Sequence, residues 1–174
     1  GSTQVLSSGK SNIVIDAVAT PPDLSVVAEG DEYNGKGTTP ADDAVKLDIT
    51  QTVMPNDPNV GENLYSAFLK GIPSGFLVYV GADESSAVLA NNAGDGIWSI
   101  PTTGNKLPDY ISIKPPAYWS GTLPDLNLVL MTGEAGQSAV ATNFKFDLVV
   151  NPVANGIAEI TPTYSFNKEG DKSV

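Results

Sequence analysis

Histidine and cysteine are both absent from this chain of 174 residues. Without histidine, the commonest general base and the commonest zinc ligand are missing. Without cysteine there is no disulfide, which suits a reducing compartment and equally an extracellular bacterial protein that does without such bonds. No run of about 18 uninterrupted apolar residues occurs, so no membrane-spanning helix is expected, and no signal peptide is visible. The chain reads as an excised fragment, with Gly1-Ser2 a cloning remnant. Positive charge is scarce: nine basic residues stand against twenty acidic ones, for a net charge of -11. Such a chain repels nucleic acid and anionic membranes, so neither is expected as a partner.

Signs of catalysis are missing as well. Serines are plentiful, but no histidine can activate one, and no Gly-x-Ser-x-Gly elbow is present. No Gly-rich phosphate loop with a following lysine occurs. Paired carboxylates hydrolyse glycosidic bonds, yet nothing in the sequence singles out a pair. The chain is therefore read as a non-enzyme.

What is present is a β pattern. The 17 glycines and 13 prolines are spread throughout and interrupt any long helical period. Period-two segments recur instead. Val45, Leu47 and Ile49 alternate with Lys46, Asp48 and Thr50, and Phe144, Phe146, Leu148 and Val150 alternate with Lys145 and Asp147. Ile111 and Ile113 flank Ser112, and Leu126, Leu128 and Leu130 repeat the pattern. Further strands are expected over 12–18, 24–28, 64–70, 76–80 and 97–100. Turn clusters separate them at 71–75, 91–96 and 132–136. Apolar residues make up 41% of the chain, enough for a core, and Trp98, Phe144 and Phe146 are expected to face it. Many short strands with Gly/Pro punctuation predict an antiparallel β-sandwich.

An internal echo suggests a repeat. Asn12-Ile13-Val14-Ile15-Asp16-Ala17-Val18-Ala19 resembles Asp147-Leu148-Val149-Val150-Asn151-Pro152-Val153-Ala154, and each copy is followed by a Glu-Gly-Asp triplet, at Glu29 and at Glu169. Long periods of this kind mark arrays. Residues 1–20 are then the last strand and linker of a preceding repeat, 21–155 a complete repeat, and 156–174 the start of the next.

An acidic chain attracts hard cations, and calcium takes six to eight oxygen ligands. Asp57, Asn59 and Glu62, with Gly61 allowing the backbone to turn, resemble a short calcium loop. Three side chains cannot close such a shell, so the loop needs the entering linker, where Asp16 lies. Glu29 and Asp31 are expected at the opposite end of the module, beside the outgoing linker with Asn151 and Asn155, as a second, equivalent site. The alternative for each group is a solvated polar turn. Asn92-Ala93-Gly94-Asp95-Gly96 reads as a hairpin turn, and Asp83-Glu84-Ser85-Ser86 as a solvated loop. Tyr118-Trp119 follows Pro115-Pro116, where an aromatic more often covers the edge of the core than binds a ligand.

Taken in order, Gly71-Ile72-Pro73-Ser74-Gly75, Gly94-Asp95-Gly96-Ile97-Trp98-Ser99-Ile100, Ile111-Ser112-Ile113-Lys114-Pro115-Pro116-Ala117-Tyr118-Trp119-Ser120-Gly121 and Val149-Val150-Asn151-Pro152-Val153-Ala154 resemble the cadherin-like, immunoglobulin-type repeats of giant bacterial adhesins of the RTX (type I secreted) and biofilm-associated class. The resemblance covers about residues 12 to 158. It implies an immunoglobulin/cadherin-like β-sandwich extender on the bacterial cell surface, Ca2+ at the junctions between repeats, and a role in adhesion and biofilm formation. Its partners would be adjacent repeats of the same chain and a host or surface ligand, with the chain otherwise a monomer. The family loop reads Asp-x-Asp-Gly-Ser-Glu; here Asp57 and Glu62 match, Asn59 stands for the second Asp, and Gly61 is displaced by one. The family linker Asp is Thr20 in one linker and Asn155 in the other. A second reading is a ligand-binding module near the adhesin tip, recognising a glycan or protein through the long Asp31–Asp43 loop and Tyr118/Trp119.

Overall fold

Alternating apolar and polar residues give a strand one buried and one wet face, and the buried rows decide this architecture. The computed structural model describes residues 21–53 and 63–154. Ten strands follow in chain order: β1 (Asp23–Asp31), β2 (Val45–Val53), β3 (Asn63–Lys70), β4 (Leu77–Gly81), β5 (Val88–Leu89), β6 (Asn91–Gly94), β7 (Ile97–Ile100), β8 (Tyr110–Lys114), β9 (Gly121–Gly133) and β10 (Val140–Asn151). No helix occurs among the described residues, so the chain is all-β over them. The expected strands are found within a few residues of their predicted bounds, except 12–18, which lies outside the described residues. The two strands that sequence periodicity did not indicate are β5 and β6.

The ten strands form one hydrogen-bonded sheet in the order β5-β4-β8-β2-β1-β10-β9-β3-β7-β6. It differs in two respects from the antiparallel sandwich expected. First, β1 runs parallel to β10, in the register Ala28↔Leu148 to Asp31↔Asn151. Second, the ladder is continuous through β1, which pairs antiparallel with β2 over its first part, from Asp23↔Val53 to Ala28↔Leu47, and with β10 from Ala28 onward. The sheet also curls back on itself. Its two edges, β5 and β6, are consecutive in the chain with only Ala90 between them. Ala90 is buried, and its N–H donates to Val78 O of β4 at 2.8 Å. The edges therefore meet, and the sheet is nearly closed into a barrel.

Curling brings the inner rows together as one core. Val45 and Leu47 of β2, Val78 and Val80 of β4, and Ile111 and Ile113 of β8 share a buried cluster with Leu64 and Leu69 of β3, Leu128 and Leu130 of β9, and Phe146 and Leu148 of β10. Trp98 and Phe146 are buried as expected, whereas Phe144 is half-buried and packs against the cluster. Burial of a side chain such as Leu128 contributes about 1.5–3 kcal/mol.

Two glycines carry specific loads. Gly30 in β1 faces Val45, and a Cβ there would stand 3.0 Å from Val45 Cγ2, so the small residue lets β1 lie close over β2. Gly96 follows Asp95 in a two-residue turn between β6 and β7, with φ 56° at Asp95 and 76° at Gly96. Left-handed angles at both centres are what a tight hairpin of matching twist requires, so the expected turn is found at Asp95-Gly96, while Asn92–Gly94, expected within it, belong to β6.

Candidate junction site

The parallel pairing of β1 with β10 carries Glu29, Asp31 and Asn151 to one end of the sheet. Asp31 lies in register with Asn151. The side-chain amide of Asn151 donates to Glu29 Oε2 at 3.2 Å. Glu29 and Asp31 alternate with inward Gly30 and are exposed. Glu32 joins them: its N–H donates to Asn151 O at 2.8 Å, and its Oε1 accepts from Val153 N at 3.0 Å. The segment leaving β10 is thus held to the end of β1 by one backbone and two side-chain hydrogen bonds. Sequence reasoning missed Glu32. The only signal was its place two residues beyond Gly30 in an acidic run, because its contact lies 121 residues away.

Asp16, Asp57, Asn59, Glu62 and Asn155 lie outside the described residues. Among the described residues, no group of three or more carboxylates, imidazoles or thiolates is gathered as for a metal. Glu29, Asp31 and Asn151 bring two carboxylates and an amide to one edge. Hard oxygen donors suit calcium, but these fill only part of its shell of six to eight. Moreover, the Asn151 nitrogen, not its oxygen, faces Glu29.

The long Asp31–Asp43 loop, the place of interest in the second reading, is built around Asp42. Asp42 accepts from the hydroxyl of Thr39 at 2.6 Å, from Thr39 N at 2.8 Å, from Thr38 Oγ1 at 3.0 Å and from Thr38 N. These bonds, with the Thr39 hydroxyl first, hold its carboxyl well below the usual carboxylate range. The loop also meets Tyr118, whose N–H donates to Tyr33 O at 2.7 Å. Lys114 Nζ donates to Pro40 O at 2.8 Å and stands 4.2 Å from the Tyr33 ring centre, a cation–π contact. Ala41, Tyr79, Ala87 and Tyr110 form a small separate core beneath. Burial pushes up the phenols of Tyr79 and Tyr110.

Next to this loop, the turn at 83–86 is capped by Asp83, which accepts from Ser86 N and from Ser85 Oγ, both at 2.9 Å. The Ser86 N–H in particular lowers the Asp83 carboxyl. Glu84 is pushed up, first by burial and then by the neighbouring Asp42 carboxylate. All four residues of the turn are exposed, as expected of a solvated loop.

Trp119 lies edge-on to Phe76, ring centres 5.0 Å apart at 80°, and so covers the core edge. Tyr118 does the opposite: it is 58% exposed and held at φ 64°. Comparison with protein-family models, curated proteins and solved structures gave no match.

Proposed function

We propose that this chain is a calcium-stiffened extender repeat of a bacterial surface adhesin, and that its sheet is an immunoglobulin-like sandwich joined through β1. The strand order supports the sandwich. The series β1-β2-β8-β4 follows the A-B-E-D order of such a fold, and β3-β9-β10 follows C-F-G. The chain departs from that plan where β7, which comes after β4 in the chain, pairs with β3 and carries β6 on its outer side.

The observation that carries the functional reading is the meeting of Glu29, Asp31 and Glu32 with Asn151 at the point where the chain leaves its last strand. Glu29 and Asp31, with the Asn151 amide oxygen, would hold calcium there, with the remaining oxygens coming from the next repeat. Calcium supplies charge neutralisation and a shared coordination shell. Without it, the clustered carboxylates repel one another and the neighbouring module. Extracellular calcium modules bind at about 10⁻⁴–10⁻³ M, so millimolar calcium adds on the order of 1 kcal/mol at each junction. Summed along an array, that stiffens a string into a rod which holds a distal tip away from the cell. Small-angle scattering of two consecutive repeats tests this: the pair should lengthen on adding calcium and slacken with chelator. Identical profiles in both would defeat the reading.

A second reading, a ligand-binding module at the tip, draws support from Tyr118. Its ring is exposed, and its backbone is tied to the long loop through the Tyr118 N to Tyr33 O bond. A glycan array separates the two, because an extender leaves every glycan unbound while a tip module loses its ligand on Tyr118→Ala.

A further inference from the structure

The sheet has a gap in its middle. β2 pairs with β8 only at Val45↔Ile113 and Lys46↔Ser112, although β2 continues to Val53. Beyond Lys46 the chain leading into β8 stands off, and a cleft of about 450 Å³ opens between β2 residues Lys46–Gln51 and residues Asn105–Asp109. On its other side β2 is fully engaged with β1. Among the described residues, no strand completes the ladder on the cleft side of Leu47–Gln51. A strand presents alternate N–H and C=O groups to each side, and such groups bond either to a neighbouring strand or to water.

Three features say what would fill this cleft. Its floor is apolar, where Leu64, Ile111 and Leu130 of the core reach it. The opposite wall cannot close the ladder itself: it contains Pro108, which has no N–H. Among the described residues, the backbone of its small hairpin bridges only within itself, Thr103 with Lys106, and Asn105 donates its side-chain amide to Asn63 Oδ1 at 3.0 Å. Finally, the Oε1 atom of Gln51 is buried in the wall of the cleft with no hydrogen-bond donor among the described residues, an arrangement that is costly to a fold. On the rim, Lys46 and Lys106 balance Asp48 and Asp109. In a chain of net charge -11 this is a locally neutral place, suited to an uncharged polypeptide backbone rather than to a strongly charged ligand.

We propose that this cleft binds an extended peptide segment of another protein, which adds a strand beside β2. Strand addition of this type draws affinity from main-chain hydrogen bonds and specificity from alternate side chains. Five residues of β2, about 17 Å, are open to it. One row of the incoming side chains would rest on Leu64, Ile111 and Leu130, and a donor from the segment would satisfy Gln51. The site is separate from the junction residues, and its test does not depend on calcium.

A random seven-residue peptide library displayed on phage is the probe, selected on the whole chain and counter-selected on Leu107→Trp, which fills the cleft. Selected peptides should alternate apolar and polar residues. They should shift the amide resonances of Leu47–Gln51 and bind about tenfold or more weakly once alternate backbone nitrogens are methylated. Should Leu107→Trp fail to melt cooperatively, Gln51→Leu replaces it, removing the orphan acceptor without added bulk; it should weaken the selected peptides several-fold. In the free protein, the cleft-side amides of β2 should exchange faster than those bonded to β1. Protection of those amides in the free protein would overturn the proposal, as would peptides indifferent to N-methylation or failure to enrich any peptide. Shifts at the same amides caused instead by maltose or lactose, or by raising the protein's own concentration, would also overturn it, in favour of a sugar site or of self-association.

Discussion

Asn151, the last residue of β10, donates its side-chain amide to Glu29 of β1 across 3.2 Å and 122 positions of sequence. One neutral amide thus lends a hydrogen bond to an acidic edge at which Asp31 and Glu32 also stand.

Replacing that amide with a carboxylate tests the arrangement. Asn151→Asp removes the donor and sets a negative charge against Glu29. In chelator the variant should lose roughly 0.5–1 kcal/mol, small because the pair is open to water. In millimolar calcium the added oxygen should recover the loss and increase the calcium-dependent rise in melting temperature. Thermal melting of both proteins with and without calcium measures this; an equal rise in each would speak against Asn151 as a ligand.

Glu32 should matter locally. Glu32→Gln retains an acceptor for Val153 N, while Glu32→Ala removes it. The Val153 amide should exchange with solvent faster in the alanine variant and stay near the parent rate in the glutamine variant. Global stability should fall by no more than about 1 kcal/mol. Amide exchange followed by NMR reads both.

Acid should loosen the long loop. The carboxyl of Asp42 is depressed in the fold by the Thr39 and Thr38 donors, and that of Asp83 chiefly by Ser86. A depressed carboxylate lends stability above its unfolded value, near 3.9, and that contribution is lost as pH falls through the folded value. Glu84 is shifted upward and acts in the opposite sense. Between about pH 4 and lower values the melting temperature should therefore decline, and the slope should be shallower in Asp42→Asn. A pH series of thermal melts for the two proteins decides it.

The hairpin between β6 and β7 should show unequal responses at neighbouring positions. Gly96→Ala puts a Cβ at 3.0 Å from Ile72 O with φ at 76°, and should destabilise by about 1–3 kcal/mol. Asp95→Gly relieves a left-handed angle of 56° and should be close to neutral. Inside the core, Leu128→Ala should cost about 2–5 kcal/mol. Denaturant unfolding measures all three.

The sequence revealed strands wherever a row of apolar residues alternates, as in Val45-Lys46-Leu47-Asp48-Ile49 or Phe144-Lys145-Phe146-Asp147-Leu148, because burial of one face writes itself into the residue order. It concealed β5 and β6. Val88 and Leu89 are both exposed, and Asn91–Gly94 has no apolar row, so these strands exist through their partners β4 and β7 rather than through their own pattern. The parallel pairing was equally hidden, since nothing in 23–31 names 148–151 as its neighbour. For the junction, Glu29, Asp31 and Asn151 could be placed at one end from strand direction alone. The hydrogen bond of Glu32 to Val153 could not, because it depends on the register of that same parallel pair.

The parallel run of β1 and β10 has a mechanical meaning. The chain enters through β1 and leaves through β10, and the two lie side by side pointing the same way. Tension on the two ends of the module would slide one strand along the other, loading the bonds from Ala28↔Leu148 to Asp31↔Asn151 together instead of unzipping them one by one. Shear of this kind shares the force among all of those bonds, so the pair should resist a steady pull along the strands better than a pull across them.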